Sequence, residues 1–450
     1  MLFTSMIAMI AAIVSSTIVN VAVPDMIAAF GVGQDRAQWV ATGFMVPMTL
    51  AMSLTPALLG RFGLRAAYTG AAVLLMFGGL LGGFSPSFEV MIAARVIEGL
   101  AAGVLQPIPS ILILRMFAHH EQGRAAGLFS LGVVLAPAIG PTIGGLLVEG
   151  FGWRAIFFFV VPFCLASLVF AARYLPWQSS FTQAGQRIDW PGLALLTAAT
   201  WMLLFGIVGM QHAGGAVRGV AWLAAGLLVA ALFAWWQLRS GDPLMRVQLM
   251  RYRQFSMGSI VAFGYGVSLF GSTYLLPVFL QIALGYSPTA SGLALMPGGL
   301  VLAATVPLAG RLADRRPPAE LVTVGVAVIA LSLALLAIVD NGSSWLTIVL
   351  LIVLGRIGLA LVLPSLTLGS TRGLPRAEFA QAASQASFYR QFGGAIGVAS
   401  VGVLLEWRLG VHPGDELRAF GETFLILAAI CASTVVAAWR MQTSEATLPG

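Results

Sequence analysis

The 450-residue sequence has few charged residues, only two cysteines and no lysine. Charged residues make up 9% of the chain, whereas soluble globular proteins carry about 25%. The chain therefore cannot cover a water-facing surface, which excludes a soluble enzyme. Its 59% hydrophobic content also excludes a disordered chain, because disordered segments are poor in apolar residues. What remains is a protein that is surrounded mostly by lipid.

All 24 basic residues are arginine, and the formal net charge is +7. A nucleic-acid-binding protein would gather this charge in a patch, but the arginines stand singly or in small groups between long apolar runs. We therefore expect no nucleic-acid partner. The two cysteines, Cys164 and Cys431, lie in apolar runs without metal-ligand spacing, which is typical of reduced thiols that only pack.

Long apolar runs are the dominant feature of the chain. A spanning helix needs about 20 mostly apolar residues, whereas the strands of a closed barrel alternate apolar and polar over about 10 residues. The runs are continuously apolar, so they predict helices. We predict an all-α polytopic membrane protein with fourteen transmembrane helices, at residues 2–24, 38–59, 66–84, 88–114, 125–147, 155–172, 190–209, 219–238, 256–282, 290–309, 320–339, 344–368, 383–405 and 420–438.

The arginines also predict the orientation of these helices. If the first helix leaves the cytoplasm, sixteen arginines lie in cytoplasmic segments and five on the other side. Arg95, Arg356 and Arg390 lie within helices. The positive-inside rule then predicts a multi-pass protein of the cytoplasmic (inner) membrane with both termini in the cytoplasm. We expect residues 2–24 to be the first spanning helix; a cleaved signal peptide is the competing interpretation, but no basic segment precedes the run.

Two parts of the sequence are similar to each other. PALLGRFGLR (56–65) follows the second predicted helix, and PLAGRLADRR (307–316) follows the tenth. We predict an N-terminal six-helix bundle (1–172), an inserted helix pair with cytoplasmic linkers (173–254) and a C-terminal six-helix bundle (255–450). Two such repeats place a binding site near the bilayer midplane and open it to alternate sides by rocking.

The two arginine-rich turns are a candidate gate. Glycine lets helix ends approach, arginines can bond the carbonyls at helix C-termini, and Asp314 can pair with an arginine or cap a helix. We predict a cytoplasmic gate of Arg61, Gly63, Arg311, Asp314 and Arg315. The alternative is that the arginines only orient the protein.

The fifth predicted helix is rich in glycine and contains two prolines. Small residues allow close helix packing in lipid, and each proline removes a backbone donor and can kink the helix. We predict a hinge at Gly132, Pro137, Gly140, Pro141, Gly144 and Gly145. The alternative is that the glycines serve close helix packing alone.

Glu98 is the only acid that we place deep in any helix, and Arg95 lies three residues before it on the same face. Charges within a spanning helix are costly, so both should face the bundle interior with partners. A carboxylate that changes protonation between the two sides can couple protons to transport. Glu98 and Arg95 are therefore candidate proton-coupling residues; a static ion pair is the alternative.

Candidate residues of the substrate cavity are Ser15, Asn20, Trp201, Phe263, Tyr274 and Arg390. Arg356 and Arg390 can each meet either Glu98 or the substrate. The chain has no phosphate loop, nucleophile elbow or zinc motif. We therefore expect a transporter that is not an enzyme and that uses neither a metal nor an organic cofactor.

These motifs resemble those of the 14-helix drug:proton antiporters of the major facilitator superfamily, the EmrB/QacA type. The resemblance covers nearly the whole chain, and the glycine–proline run of the fifth helix is its most specific part. The other similar segments are residues 16–24, residues 95–99, Trp153-Arg154 with Pro162, and residues 390–397.

Three positions differ from this family. An Asp is usual in the first helix where this chain has Ser15, and that Asp is implicated in proton or cation handling. A Gln is more usual at Glu98, and an Asp is common at Gly60. The first difference makes Glu98 the candidate replacement for the missing carboxylate.

The resemblance implies proton-coupled efflux of lipophilic drugs or toxic compounds by alternating access. The implied partners are a small lipophilic substrate, protons and the lipid bilayer; a periplasmic adaptor and the substrate's charge stay open. The main alternative is a proton-coupled importer or facilitator of a small metabolite, against which the fifth-helix motif argues. A membrane-embedded enzyme or receptor is a third hypothesis, and no catalytic constellation supports it.

Overall fold

The computed structural model describes residues 1–32, 36, 39–118, 120–176, 187–210 and 215–441, and the regular structure within these ranges is entirely helical. Two short 3-10 helices cover Val247–Arg251 and Arg376–Glu378. The α-helices are α1 (Leu2–Phe30), α2 (Trp39–Gly83), α3 (Phe88–Leu105), α4 (Ile108–Met116), α5 (Gln122–Phe151), α6 (Ala155–Phe158), α7 (Val160–Tyr174), α8 (Trp190–Gly209), α9 (Ala216–Arg239), α10 (Arg253–Ile282), α11 (Pro288–Ala313), α12 (Pro318–Leu336), α13 (Trp345–Thr371), α14 (Phe379–Val411) and α15 (Glu416–Arg440).

Short polar side chains cap the starts of five helices. Ser87, Ser287 and Ser344 accept hydrogen bonds from backbone N–H groups three residues later, at 3.4, 3.2 and 3.1 Å. Asp189 and Asp415 do the same at 2.8 and 3.1 Å. These side chains satisfy N–H groups that have no partner within the helix, and so they determine where α3, α11, α13, α8 and α15 begin.

The second and third predicted helices together make up α2, and a kink separates them within the turn predicted at 60–65. Only Gly63 leaves helical geometry, with φ 78° and ψ 168°. This conformation is open to glycine because it has no Cβ. The chain bends there, and beyond the bend the Tyr68 hydroxyl donates to the Thr4 carbonyl at 2.6 Å. The third predicted helix, which begins after the bend, therefore starts on the same side of the protein as the start of α1.

Twelve helices in the described part are long and apolar enough to cross a membrane. The predicted count of fourteen is therefore not confirmed and stays a prediction. The predicted helix at 88–114 is divided into α3 and α4 at Gln106-Pro107, and the one at 155–172 is divided into α6 and α7 at Phe159.

Two groups of helices pack among themselves and meet along two seams. In the first half, α2 packs on α3 and α1 packs on α5; in the second half, α10 packs on α14 and α12 packs on α13 and α15. The halves contact each other where α5 meets α11 and where α2 meets α14. The pair α8–α9 lies beside the second seam, since α8 also contacts α2 and α14.

We call the face that carries residues 61–65, 115–118, 120–124, 173–176, 311–316 and 372–376 the arginine-rich face. Arg65 Nη1 donates to the Leu175 carbonyl at 3.3 Å there. Met441 lies at the same level, because its Cε is close to Gly258 and Gly369. The described ends of the chain therefore lie on the arginine-rich face.

Candidate functional sites

A buried ion pair lies inside the first half. Arg95 Nη1 and Glu98 Oε2 are 2.7 Å apart, and the two side chains are 1% and 0% exposed. Both residues lie on α3, three positions apart, which puts them on one helix face. A charge pair so far from water needs good geometry and further hydrogen bonds to be tolerated.

Those further hydrogen bonds come from α1 and α2. Ser15 Oγ on α1 donates to Glu98 Oε1 at 3.3 Å. Arg95 Nη1 also contacts Ser15, donating to its carbonyl at 3.3 Å and to its hydroxyl at 3.2 Å. Arg95 Nε donates to the Val40 carbonyl on α2 at 3.1 Å. The hydrogen bonds of the pair thus connect α3 to α1 and α2.

Close packing encloses the Glu98 carboxylate. A Cβ added at Gly78 would be 2.7 Å from Glu98 Cγ, and one at Gly79 would be 2.8 Å from the Phe157 carbonyl. The Arg95 guanidinium lies 4.3 Å from the centroid of the Phe44 ring, and its Nη2 has no hydrogen-bond partner among the residues that the structure describes. In this conformation the ion pair is closed off from both sides of the protein.

Ser15 therefore belongs to the ion-pair cluster, as its contacts with both charged residues show. The sequence predicted Ser15 as a cavity residue. It linked Ser15 to Glu98 only through the family resemblance, in which an Asp is usual at residue 15. The two residues are 83 positions apart in the chain, so no local pattern predicts their contact.

Asp314 forms a contact between the two halves at the arginine-rich face. Its Oδ1 accepts from the Gly123 backbone N–H at 2.6 Å, and its Oδ2 accepts from the Arg124 N–H at 2.9 Å. Both donors lie in the first turn of α5, where backbone N–H groups lack helical partners and the helix dipole is positive. A carboxylate at the end of α11 thus caps a helix of the other half.

Three glycines bring α5 and α11 together beside this cap. A Cβ at Gly127 would be 3.0 Å from Gly310 Cα, and one at Gly310 would be 2.6 Å from Gly127 Cα. Cβ atoms at Gly123 and Gly310 would overlap each other's backbone carbonyls. Glycine spaced by four residues is a signal of close helix packing. Sequence reasoning missed this signal at Gly123 and Gly127.

The other predicted gate residues do not share this contact. Arg61, Arg311 and Arg315 are exposed, and none of them forms an ion pair with the residues that the structure describes. A second contact at this face was not predicted. Arg246 forms an ion pair with Glu378, immediately before α14, and Gln385 Nε2 donates to the Arg246 carbonyl at 3.5 Å.

The predicted hinge lies in α5, which runs continuously from Gln122 to Phe151. Its glycines pack against α1: a Cβ at Gly132 would be 3.0 Å from Ile10 Cδ1, and one at Gly144 would be 2.8 Å from Ile18 Cγ1. Gly140 is similarly close to Thr17, whereas Gly145 faces open space. The side chains of Pro137 and Pro141 lie outside the described residues. The glycines thus explain the close packing of α5 on α1.

The predicted cavity residues do not form one site. Phe263 lines an apolar cavity of about 320 Å³ between α10, α14 and α15. Trp201 is 43% exposed and stacks on Trp39, with ring centroids 5.7 Å apart. Tyr274 is 40% exposed, and the side chain of Asn20 lies outside the described residues.

Arg390 lies in a separate cluster within the second half. Arg390 is 6% exposed. Its helix α14 and α13, which carries Arg356, both pack on α10. Tyr265 of α10 donates its hydroxyl to the Leu359 carbonyl of α13 at 3.3 Å. Glu98 contacts neither of these arginines.

These features define an all-helical membrane protein with charged side chains buried among its long apolar helices. The sequence model of the Major Facilitator Superfamily matches residues 5–398. The chain therefore belongs to the Major Facilitator Superfamily, and the family resemblance seen in its motifs is confirmed at that level.

Its relatives include proteins named for drug resistance. Lincomycin resistance protein LmrB of Listeria monocytogenes is 29% identical over 386 residues, which cover 86% of this chain and 82% of the relative. The multidrug resistance protein B homolog of Mycobacterium tuberculosis is 30% identical over 407 residues, which cover 88% of this chain and 74% of the relative.

Two solved structures share the fold. The human organic anion transporter MFSD10 (TETRAN) has a TM-score of 0.69 at 14% identity, over 97% of this chain and 98% of that chain. The proton:xylose symporter XylE has a TM-score of 0.65 at 13% identity, over 97% and 95%. At such identities the likeness shows the fold alone.

Proposed function

We propose that this protein exports lipophilic drugs or other toxic lipophilic compounds across the cytoplasmic membrane, driven by proton influx. Its superfamily membership and the names of its relatives, which describe lincomycin and multidrug resistance, support export of drugs. The single observation that carries proton coupling is the enclosed Glu98–Arg95–Ser15 cluster.

The proposed topology has fourteen crossings with both termini in the cytoplasm. The 45 residues of α2 extend over about 68 Å at about 1.5 Å per residue. Since the hydrocarbon core is about 30 Å thick, α2 is long enough to cross twice with the bend at Gly63. The 30-residue α5 supplies one further crossing. The arginine-rich face is then the cytoplasmic face, in agreement with the positive-inside rule.

The coupling step follows from the charges in the cluster. An ionised Glu98 balances Arg95, whereas a protonated Glu98 would leave a buried guanidinium without a counter-ion. Such an uncompensated charge is costly. Protonation from the outer side therefore favours rearrangement of α1 and α3 around Arg95, with release of substrate outward. Deprotonation toward the cytoplasm restores the ion pair.

The position of Ser15 supports this role of Glu98. The family resemblance implies a carboxylate at residue 15, and the Ser15 hydroxyl contacts both Glu98 and Arg95. A carboxylate on α1 would therefore occupy the same cluster as the one on α3. We infer that the coupling carboxylate has moved from the first helix to the fourth predicted helix while keeping its arginine partner.

The contact of Asp314 with α5 gives the proposed transporter its cytoplasmic gate. Asp314 and Gly310 belong to the second half, and Gly123, Gly127 and Arg124 belong to the first. Rocking of one half on the other must separate these groups. The cap therefore holds the cytoplasmic side shut, and its rupture accompanies inward opening. The α5 glycines remain our candidate hinge.

The test measures dye uptake by inside-out membrane vesicles, in which export from the cytoplasm appears as uptake into the vesicle. A panel of cationic, neutral and anionic dyes is used under an imposed pH gradient. We expect gradient-dependent uptake of at least one class by the wild type. Glu98→Gln should abolish accumulation against the gradient and leave downhill movement. Glu320→Gln, which changes an exposed acid at the start of α12, is the matched control. A Glu98→Gln protein that accumulates dye with full pH dependence would refute the proposal.

A further inference from the structure

Two arginines in the interior of the second half have no counter-charge within the described part of the chain. Arg95, the comparable residue of the first half, is neutralised by Glu98. Arg356 and Arg390 form neither an ion pair nor a hydrogen bond with any part of the chain that the structure describes. The helices that carry them, α13 and α14, both pack on α10, where the neutral Tyr265 hydroxyl donates to the Leu359 carbonyl of α13.

All three side chains lie at similar depth, near the middle of their helices. Arg356 is on α13, which has 27 residues, Arg390 is on α14, which has 33, and Tyr265 is on α10, which has 30. Measured from the arginine-rich face at about 1.5 Å per residue, Arg390 and Tyr265 lie about 17 and 18 Å along α14 and α10, and Arg356 lies about 22 Å along α13, which ends at that face. This depth is where a charged side chain is most costly in a membrane protein and where it marks a ligand or ion pathway.

Helix packing positions the two guanidinium groups. Gly266 on α10 lies against the backbone of Arg390, so close that a Cβ there would overlap the Arg390 carbonyl. Gly298 on α11 leaves room for the stem of Arg356, since a Cβ there would be 3.1 Å from Arg356 Cγ. Arg390 is more than nine-tenths buried, and Arg356 is half-buried and so still reaches open space.

The Tyr265 hydroxyl cannot balance two positive charges, because it is neutral and already donates to the Leu359 carbonyl. Arginine also cannot lose its charge in a protein, so neither side chain can be relieved by deprotonation. The missing negative charge must come from a group that enters the protein. A guanidinium ion presents a planar fork of N–H donors that matches a carboxylate.

We propose that Arg356, Arg390 and Tyr265 form an anion-binding site, and that the exported compound joins a carboxylate to an apolar body. This inference rests on the proposed export function and names the substrate's charge. The apolar body is that of the lipophilic compounds in the proposed export function. A cationic compound with the same body is repelled by the two uncompensated arginines.

The test is equilibrium binding of three probes with one apolar body, measured on the purified full-length protein by pyrene fluorescence. The probes are pyrenebutanoate, its neutral methylamide and a pyrenebutyl-trimethylammonium ion. We expect the wild type to bind the anion at least about ten-fold more tightly than the other two, because hydrogen bonds to charged groups are the stronger ones.

Variants at the site assign this preference to the arginines. Arg356→Gln and Arg390→Gln should each weaken binding of the anion about ten-fold or more and leave the neutral methylamide unchanged. Arg390→Lys keeps the positive charge and should keep the preference for the anion. Arg173→Gln, which removes an exposed arginine at the end of α7, is the matched control and should bind like the wild type.

Equal binding of anion and cation by the wild type would overturn the proposal, and this result needs no variant to fold. Anion binding that survives both glutamine substitutions would overturn it as well. Vesicle efflux of the same probes separates the two proposals. Export of the cation or the neutral probe without anion preference contradicts the anion site alone, whereas anion binding without any efflux contradicts the export function alone.

Discussion

The cap between Asp314 and α5 gives a quantitative prediction about the conformational equilibrium. Asp314→Asn keeps the shape of the side chain but removes its charge and replaces one acceptor oxygen by a donor. That donor would face either the Gly123 or the Arg124 N–H, which are now 2.6 and 2.9 Å from the carboxylate. One interaction becomes donor against donor, and the remaining one loses its ionic character.

The magnitude follows from the two bonds. A hydrogen bond to a charged group contributes about 1.5–3 kcal/mol, and a charge near a helix end about 0.3–1 kcal/mol. Because Asp314 is only half-buried and water can replace part of the loss, we expect a net loss of about 1.5 kcal/mol. Each 1.4 kcal/mol is a factor of ten in an equilibrium constant, so the population with a closed arginine-rich face should fall about ten-fold relative to the open one.

The assay is double electron–electron resonance between spin labels at Glu121→Cys and Arg316→Cys, which are exposed residues on opposite sides of the seam. The native Cys164 and Cys431 are buried, and a protein without the added cysteines checks that they stay unlabelled. Asp340→Asn is the matched control, because Asp340 is an exposed acid whose bonds are to its own loop. A distance distribution for Asp314→Asn that equals that of the wild type would refute the gate.

Three further predictions concern packing and capping. Gly310→Ala should shift the same spin-label distances toward separation with little effect on thermal stability, because its Cβ meets backbone of the other half. Gly78→Ala should instead lower the melting temperature strongly, because its Cβ would be 2.7 Å from Glu98 Cγ inside one half. Asp189→Asn should lower the free energy of unfolding by about 1–3 kcal/mol, since Asp189 accepts from Trp236 and Gln237 at 2.9 and 2.7 Å and so joins α8 to α9. Thermal scans in detergent measure the last two effects.

Much of the helical architecture is predictable because lipid imposes a simple rule on the sequence. A chain that crosses lipid must satisfy its backbone internally and present apolar side chains over a fixed thickness, so each crossing leaves a long apolar run. The bend at Gly63 was not predictable in its form. A turn and a single non-helical residue leave the same sequence signal, and only φ 78° at Gly63 distinguishes them.

The candidate sites are predictable only as far as they are local. Arg95 and Glu98 are three residues apart on one helix, so their proximity follows from helix geometry. The contact of Asp314 with Gly123 joins residues 191 positions apart, and the pair of Arg246 and Glu378 spans 132 positions. Such contacts depend on how the helices pack, which no pattern within one helix specifies.

The arginines within helices illustrate the same limit. The sequence showed that Arg356 and Arg390 lie in apolar runs, but either of them could have met Glu98. Only the packed structure separates them from Glu98, which the first half neutralises with Arg95. The uncompensated positive charges of Arg356 and Arg390 therefore depend on how the helices pack.

Proton release on binding tests the central claim about Glu98 most directly. The purified protein is kept in weakly buffered detergent with a pH-sensitive dye, and the compound that wild-type vesicles accumulate is added. The account predicts a pH change for the wild type, none for Glu98→Gln, and recovery when Ser15→Asp is combined with Glu98→Gln, because residue 15 contacts the same arginine. An undiminished pH change in Glu98→Gln would show that another group carries the proton.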